Sequence, residues 1–308
     1  MNPPPGNTSP RYMIISPAKD EERYIEYTLR SVAGQTIKPV LWLIVDDGST
    51  DRTPKIIRRY ALEHSFIKMV RNPHAGVRQS GSAVMRAFNY GLQLSGGTDY
   101  DFIVKLDCDL SFEQDYFEKI LKRFGEDRRL GIASGVYLEM TSRGAWHEIH
   151  MPSYHAAGAS KVIRRECFAS IGGFITAAGW DTVDEIRAMT RGWKTVHFSD
   201  LRMRHHKAEG TGIGTIRTSA MHGEIFYLTG GGKLFFILKV LHRMATQPYV
   251  FGALALLKGY LKVMGKRKPL LVTDSEARCY RSLLYRRIRA QAKGVLLKNL
   301  NALTGYQL

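Results

Sequence analysis

Along the first third of the chain, continuous apolar runs alternate with stretches whose apolar residues recur every three or four positions. "RYMIISP" (11–17) is one such run, closed by Pro17, and predicts a short buried strand. In "KDEERYIEYTLRSVAGQT", Tyr24, Ile25, Leu29 and Val32 fall at helical spacing, with Gly34 as a C-terminal stop. "VLWLIVDDGST" (40–50) predicts a second strand, too short for a membrane helix, that ends in an Asp-Asp-Gly-Ser turn. "DRTPKIIRRYALEHS" predicts a helix with Thr53 at its N-cap and Pro54 at the first helical position. A short strand at 66–71, a Gly-rich loop, a helix near 82–95 and a third apolar run in "DYDFIVKLDCDLSF" follow.

Strands alternating with helices predict an α/β fold built on a parallel sheet, and such sheets bind ligands outside the carboxyl ends of their strands. From 128 to 206 the pattern is mixed: a strand at 131–138, a loop at 141–158, "ASKVIRRECFASIGGF", a helix in "GWDTVDEIRAMTRGWKT" and "VHFSDLRMRHH". No internal repeat is present. After residue 231 the texture changes to apolar runs interleaved with lysine, whose longest uncharged stretch, Met244 to Leu257, is too short to span a bilayer comfortably. That segment reads as interfacial or re-entrant.

Composition sharpens this division. The chain has 308 residues and a net charge of +17. Residues 231–308 hold fifteen Lys/Arg against Asp274 and Glu276, which is +13 of that total. The basicity therefore belongs to the C-terminal quarter, where it suits an anionic membrane surface or a nucleic acid. No recognised nucleic-acid module lies there, so nucleic acid is the less favoured partner. Cys108, Cys167 and Cys279 lie far apart without a CxxC pair, which fits a reducing compartment rather than a zinc site or a disulfide framework. The opening "MNPPPGNTSP" (1–10) has no apolar core and reads as a disordered lead.

Two strand ends carry paired acids: Asp46–Asp47 after "VLWLIV", and Asp107 and Asp109 in "VKLDCDLSF". Carboxylates at that edge of an open sheet point to a divalent cation or a sugar–phosphate ligand. Asp46–Asp47 also suits a turn held by Asx hydrogen bonds. Solvated charge at the strand end is the plain alternative for Asp107 and Asp109.

Taken in order, these segments resemble the inverting family-2 glycosyltransferases with the GT-A fold. "SPAKDEERYIEYTLRSVAGQT" is similar to that family's opening, with Asp20 where the family has Asn. "IVDDGSTDRT", "FNYGL", "VKLDCDLSF", "IRRECFASIGGF", "VDEIRAMTRGWKT" and "LRMRHH" resemble its later motifs over roughly residues 11–210. The resemblance implies a GT-A-like, Rossmann-type, mostly parallel sheet sandwiched by helices. It places a nucleotide-binding half at about 11–112 and an acceptor half at about 113–230, to which the charge and apolar pattern add a basic amphipathic helical, membrane-associating region at 231–308.

What the resemblance implies for chemistry is transfer of a sugar, with inversion, from a nucleotide-diphosphate sugar to an acceptor hydroxyl. Asp109 would bind Mg2+ or Mn2+, with Asp107 contacting the donor ribose or the metal shell and His205 near the metal or diphosphate. Asp47 would read the base beside Asp46, Glu21 would border the nucleotide, and Ser16 and Pro17 would line the base pocket. The base is less sharply placed, because Thr182 stands at the usual position when the segment is aligned on "DEIRAM". Asp181 is favoured, with Asp184 second, although acids here also complement a helix dipole. Trp180 is a candidate sugar platform, and Arg164 and Arg165 are candidate acceptor-side phosphate contacts. The acceptor would be a lipid-linked glycan or a growing envelope polysaccharide, with the protein peripheral to the cytoplasmic face of a membrane. A nucleic-acid-binding protein, a non-catalytic nucleotide-sugar binder and a nucleotidyltransferase are the competing readings. The last should carry a Gly-rich basic loop after the first strand, where this chain has "SPAKDEE".

Overall fold

In a computed structural model the chain forms two compact units, Met1–Glu209 and Gly210–Leu308. The structure describes residues 10–73, 82–141, 144–207, 214–245 and 248–304, with side chains as far as residue 291. Residues 1–9 of the expected lead and most of the Gly-rich loop, 74–81, lie outside the described residues.

The first unit runs β1 (Tyr12–Ala18), α1 (Ile25–Ala33), β2 (Leu41–Asp46), α2 (Thr53–Glu63), β3 (Ile67–Arg71), α3 (Ser82–Leu94), β4 (Phe102–Leu106) and β5 (Leu110–Phe112). It continues with α4 (Tyr116–Glu126), β6 (Leu130–Met140), β7 (Trp146–Glu148), β8 (Ser160–Arg164), α5 (Arg165–Ser170), α6 (Trp180–Thr190) and β9 (Lys194–His205). The sheet order is β3-β2-β1-β4-β8-β6-β9-β5, with β7 paired to β6. The strands β3-β2-β1-β4 are all parallel, and β8 enters antiparallel beside β4.

The apolar runs are continuous because both faces of the sheet are covered. Tyr12 and Ile14 of β1 join one core with Ile25 and Leu29 of α1 and Phe117 of α4. The intervening Met13 and Ile15 join another with Phe88 of α3 and Phe168 of α5. With successive side chains pointing to opposite faces, burial on both sides leaves no polar alternation to read. Gly91 lets α3 approach the sheet: a Cβ there would stand 2.7 Å from Val45 and 2.9 Å from Ile15.

Several boundaries differ from the sequence expectation. The segment expected as a loop at 141–158 contains β7, whose residues pair with the end of β6. Thr53 opens α2 rather than capping it, and its hydroxyl accepts the Glu21 N–H at 2.8 Å. The largest difference lies at the end of the first unit.

The second unit consists of α7 (Thr215–Leu228), α8 (Lys233–Met244), α9 (Tyr249–Gly265) and α10 (Asp274–Thr304). Helix α7 therefore belongs with the basic region, and the division falls at Glu209 rather than at residue 230. The reason is a close helix crossing. A Cβ on Gly223 of α7 would lie 1.9 Å from the Leu256 carbonyl oxygen, and one on Gly259 of α9 would lie 1.9 Å from that of Ala220. Such backbone contact is open only to glycine. α10 starts with a reciprocal cap, in which Thr273 N–H donates to Glu276 Oε2 at 2.9 Å and Glu276 N–H donates to Thr273 Oγ1 at 3.3 Å.

Candidate active site

Parallel register sets the carboxyl ends of β1 and β2 side by side, with Ala18 opposite Asp46. The chain then turns sharply at Asp46-Asp47-Gly48-Ser49. Asp46 Oδ1 accepts the Ser49 N–H at 2.9 Å, and Gly48 takes φ +83°. The turn reading of Asp46 is thus correct, yet its buried Oδ2 has no hydrogen bond and stands 3.9 Å from Arg71 Nε. Asp47 is fixed from both sides: its N–H donates to the Ala18 carbonyl at 2.8 Å, and its Oδ1 accepts from Asn72 Nδ2 at 2.7 Å. It lines a cavity of about 340 Å³ with Asn72, Arg86, Asn89, Tyr90 and Gln93. Ser16 points elsewhere, its hydroxyl accepting from Trp42 Nε1 at 2.9 Å within the core. Pro17 presents its carbonyl to Cys108 Sγ at 3.6 Å. Glu21 takes the Lys207 ammonium at 2.7 Å, an ion pair across 186 residues of sequence.

The second carboxylate group is built by three strands. β5 pairs antiparallel with β9 so that Leu110 faces His205, and β6 pairs with β9 so that Glu139 faces His205. This register brings His205 Nε2 to 3.4 Å from Asp109 Oδ2 and His205 Nδ1 to 3.3 Å from Glu139 Oε1. Burial opposes charge on His205, but hydrogen bonds to Asp109 and Glu139 outweigh it and push the pKa up to about 10. Asp109 is buried and its Oδ1 has no hydrogen bond. Asp107 departs from the expected trio. Its carboxylate turns to the buried Lys105 ammonium instead, and burial and the like charge of Asp109 raise its pKa against the pull of Lys105.

Asp181 and Asp184 occupy different environments although both sit in the first turns of α6. Asp184 is 2% exposed, and its two oxygens take the Lys161 ammonium at 3.1 and 2.9 Å. It is closed off from any acceptor, which corrects its placement as a second candidate base. Asp181 is half-buried and lies against Gly158, where an added Cβ would stand 3.4 Å from its Oδ2. The next residue, Ala159, accepts the Asp107 N–H through its carbonyl at 2.8 Å. Asp181 therefore borders the loop that holds the acidic turn.

The remaining acceptor-side expectations fail for identifiable reasons. Trp180 is 7% exposed, packed on Phe174 with ring centroids 4.7 Å apart, so it presents no face to a sugar. Arg164 and Arg165 lie at the wrong end of the sheet: β8 runs antiparallel to β4, setting Ser160 opposite Leu106 and Arg164 opposite Phe102. Five residue steps of strand set Arg164 about 16 Å from Asp107, and Arg165 lies farther still. Arg164 donates to the Phe124 and Leu130 carbonyls, and Arg165 pairs with Asp99. Sequence reasoning missed Lys161, Glu185 and Glu139, whose partners are remote in sequence. His206, next to His205, bonds Ser111 at 2.8 Å and stacks on Tyr27 with ring centroids 4.1 Å apart.

Comparison with known proteins is decisive for the family. The family model described as "Glycosyl transferase family 2" matches residues 13–179, more than half of the chain. The chain belongs to glycosyl transferase family 2. The match stops one residue short of α6, so Asp181 lies just beyond it. Among curated relatives, the chain is similar to EpsH of Bacillus subtilis (strain 168), a glycosyltransferase by name. The two are 29% identical over 126 residues, 41% of this chain and 34% of that protein. It is also similar to the succinoglycan biosynthesis protein ExoA of Rhizobium meliloti (strain 1021), 30% identical over 121 residues, 37% of this chain and 33% of that one. The matched stretch thus spans about a third of either relative's length. The fold is similar to that of the mannosyltransferase PcManGT from Pyrobaculum calidifontis, solved with GDP-Man and Mn2+. That likeness has a TM-score of 0.56 at 20% identity and covers 98% of this chain and 82% of that one. The α/β sheet with its flanking helices is that of the GT-A glycosyltransferases.

The donors present meet part of what a divalent cation needs. Among the described residues, no group of three or more His, Cys, Asp or Glu is arranged to hold a metal by itself. Asp109 and His205 nevertheless supply one hard oxygen and one imidazole nitrogen side by side, and the orphaned Asp109 Oδ1 is a buried acceptor in need of a partner. That partial set fits a cation whose other ligands come from a bound diphosphate.

Proposed function

We propose that this family-2 member transfers a sugar, with inversion, from a nucleotide-diphosphate sugar to an acceptor hydroxyl, in the synthesis of a cell-envelope polysaccharide or lipid-linked glycan. The observation that carries the reading is the pairing of Asp109, with its unsatisfied oxygen, and His205 at the carboxyl edge of the sheet. Asp109 and His205 would hold Mg2+ or Mn2+, which when bound neutralises charge on the leaving diphosphate. Asp47 and Asn72 would read the base in the neighbouring cavity, where Arg86 gives a cation for phosphate. Lys207 is tied to Glu21, within the segment assigned to the nucleotide.

The proton of the acceptor hydroxyl goes to Asp181, the one carboxylate of α6 that is not engaged by Lys161 through its side chain. Gly158 leaves space beside that carboxylate. Asp107, held by Lys105 and by the Ala159 carbonyl, orients the turn carrying Asp109. All three cysteines are free, which supports a reducing, cytoplasmic setting. The polysaccharide assignment is supported by the succinoglycan relative, whose name states that role.

The test is a thermal-shift series with UDP, GDP, dTDP and CDP, each with and without Mn2+, on the wild type and Asp109→Ala. Stabilisation by one nucleotide that needs both Mn2+ and Asp109 is expected. Absence of any nucleotide effect would overturn the donor site. Turnover with the matching nucleotide sugars then names the donor.

A further inference from the structure

The large apolar side chains left exposed are concentrated on two neighbouring helices. Of nineteen that are exposed in the described residues, eleven lie on α8 and α9, while the whole first unit contributes six. On α8 they are Leu234, Ile237, Leu238, Leu241 and Met244, spaced to form a single stripe. On α9 the stripe runs through Val250, Phe251, Leu254 and Leu261, with Phe251 at 73% exposure. α9 is apolar on its other side as well: Gly252, Ala253, Leu256, Gly259, Tyr260 and Val263 are buried, with Gly259 and Leu256 against α7. A helix that is apolar all round belongs inside a protein or against lipid, and only half of α9 has a protein partner within its unit.

We infer that the exposed face of α8 and α9 is a docking surface for an anionic lipid bilayer, immersed at the interface without crossing it. Three observations fix the occupant. No helix among the described residues is long and apolar enough to cross a membrane. Charge selects lipid over a second copy of the chain: residues 210–308 carry sixteen Lys/Arg against three Asp/Glu, so two copies would oppose strongly positive surfaces. The cations are also well placed. Lys258 lies along the exposed side of α9, and Lys266, Arg267 and Lys268 follow its end, all exposed, while Lys262 is paired with Glu224 of α7. Lysine stems laid along apolar surface with their ammonium groups toward phosphate are the usual arrangement of an interfacial helix. α10 adds Arg278, Arg281, Arg286 and Arg289 around a groove of about 490 Å³ with Ser282 and Tyr285, a set of donors suited to lipid phosphates. A nucleic acid would use the charge and leave the eleven apolar side chains in water.

The inference does not depend on the glycosyl-transfer reading, and its test is separate. The full chain is floated with vesicles of phosphatidylcholine alone or mixed with phosphatidylglycerol, at low and high salt. Co-flotation with the anionic vesicles, weakened by salt, is expected. The variant Leu241→Glu/Phe251→Glu/Leu254→Glu replaces only exposed side chains and is expected to lose at least tenfold in bound fraction, with its UDP and GDP thermal shifts unchanged. A milder variant, Phe251→Ser, should lose less in the same direction. Three results would overturn the inference. They are no flotation, flotation indifferent to the apolar substitutions, or an oligomer in solution that the same substitutions dissociate. Oligonucleotide binding that persists in the triple variant while vesicles are ignored would also overturn it, in favour of a nucleic-acid partner.

Discussion

Lys105 and Lys161 are register partners on antiparallel β4 and β8, both buried, and their ammonium groups stand 5.4 and 5.3 Å from the Trp180 ring centroid. Like charges directly across a strand pair repel, so the arrangement persists only because each is met by carboxylates. Lys105 reaches Asp107, and Lys161 reaches Asp184, Glu185 and the Asp181 carbonyl. Burial disfavours the Lys161 charge, and Asp184, Glu185 and Asp181 more than restore it, raising its pKa. The buried lysines thus join the acidic turn to the first turn of α6.

Removing Lys161 should be costly. Lys161→Met leaves Asp184 buried without its cation and Glu185 with His155 alone, and a loss of about 3–5 kcal/mol in unfolding free energy is expected. Urea denaturation measures it. Lys161→Met/Asp184→Leu should recover part of the loss, since the orphaned charge goes too.

Asp181 and Asp184 separate by readout. Asp181→Asn is expected to cut turnover by about 10²–10⁴-fold while leaving nucleotide thermal shifts in place. Asp184→Asn should appear first as lost stability, because it weakens a buried ion pair. Full activity in Asp181→Asn would move the base elsewhere.

His205 gives a pH signature. Its pKa, raised to about 10 in the fold, exceeds the unfolded value of about 6.5. Its stabilisation is therefore complete below the unfolded value and is lost as pH climbs through that window. Melting temperature followed against pH should fall less steeply in His205→Gln than in the wild type, both without metal. Mn2+ needs the neutral imidazole, so its binding should strengthen with rising pH. In His205→Gln it should weaken at least about tenfold.

The crossing of α7 and α9 predicts a structural lesion distant from the chemistry. Gly259→Ala drives a methyl group into the Ala220 carbonyl, and a cost of about 1–3 kcal/mol is expected. Proteolysis within 210–308 should accelerate, with nucleotide binding by the first unit unchanged.

Arg165→Ala tests the corrected placement of the paired arginines. Arg165 is exposed and pairs with Asp99 at the far sheet edge. Turnover should stay within about twofold and stability within about 0.5 kcal/mol.

The first four strands and the acidic turns were legible because β1, β2 and β4 are buried on both faces, and β2 and β4 run directly into aspartates. Asp46, Asp47 and Asp109 could be placed from chain order alone. Glu139 could not: it meets His205 across 66 residues, through the register of β6 and β9, and register is not written in either strand by itself. Arg164 and Arg165 were misplaced because nothing local tells that β8 runs against β4. Trp180 resembles a sugar platform in sequence, but Phe174 and two lysines enclose it in the fold. Helical spacing alone does not separate Asp181 from Asp184, because Lys161, which engages the latter, lies 23 residues away in sequence.

β5 is three residues long, and its described ladder partner is β9, which ends 93 residues after β5 does. Thr28 and Ser31 of α1 hold Leu110 and Phe112 early, but Asp109 has its His205 partner only when the chain has been made through β9. A growing polypeptide released only to residue 112 would hold the Asp47 turn but not the second carboxylate group. Both halves read from the sequence contribute to this site, so donor binding should appear in translation only when β9 emerges.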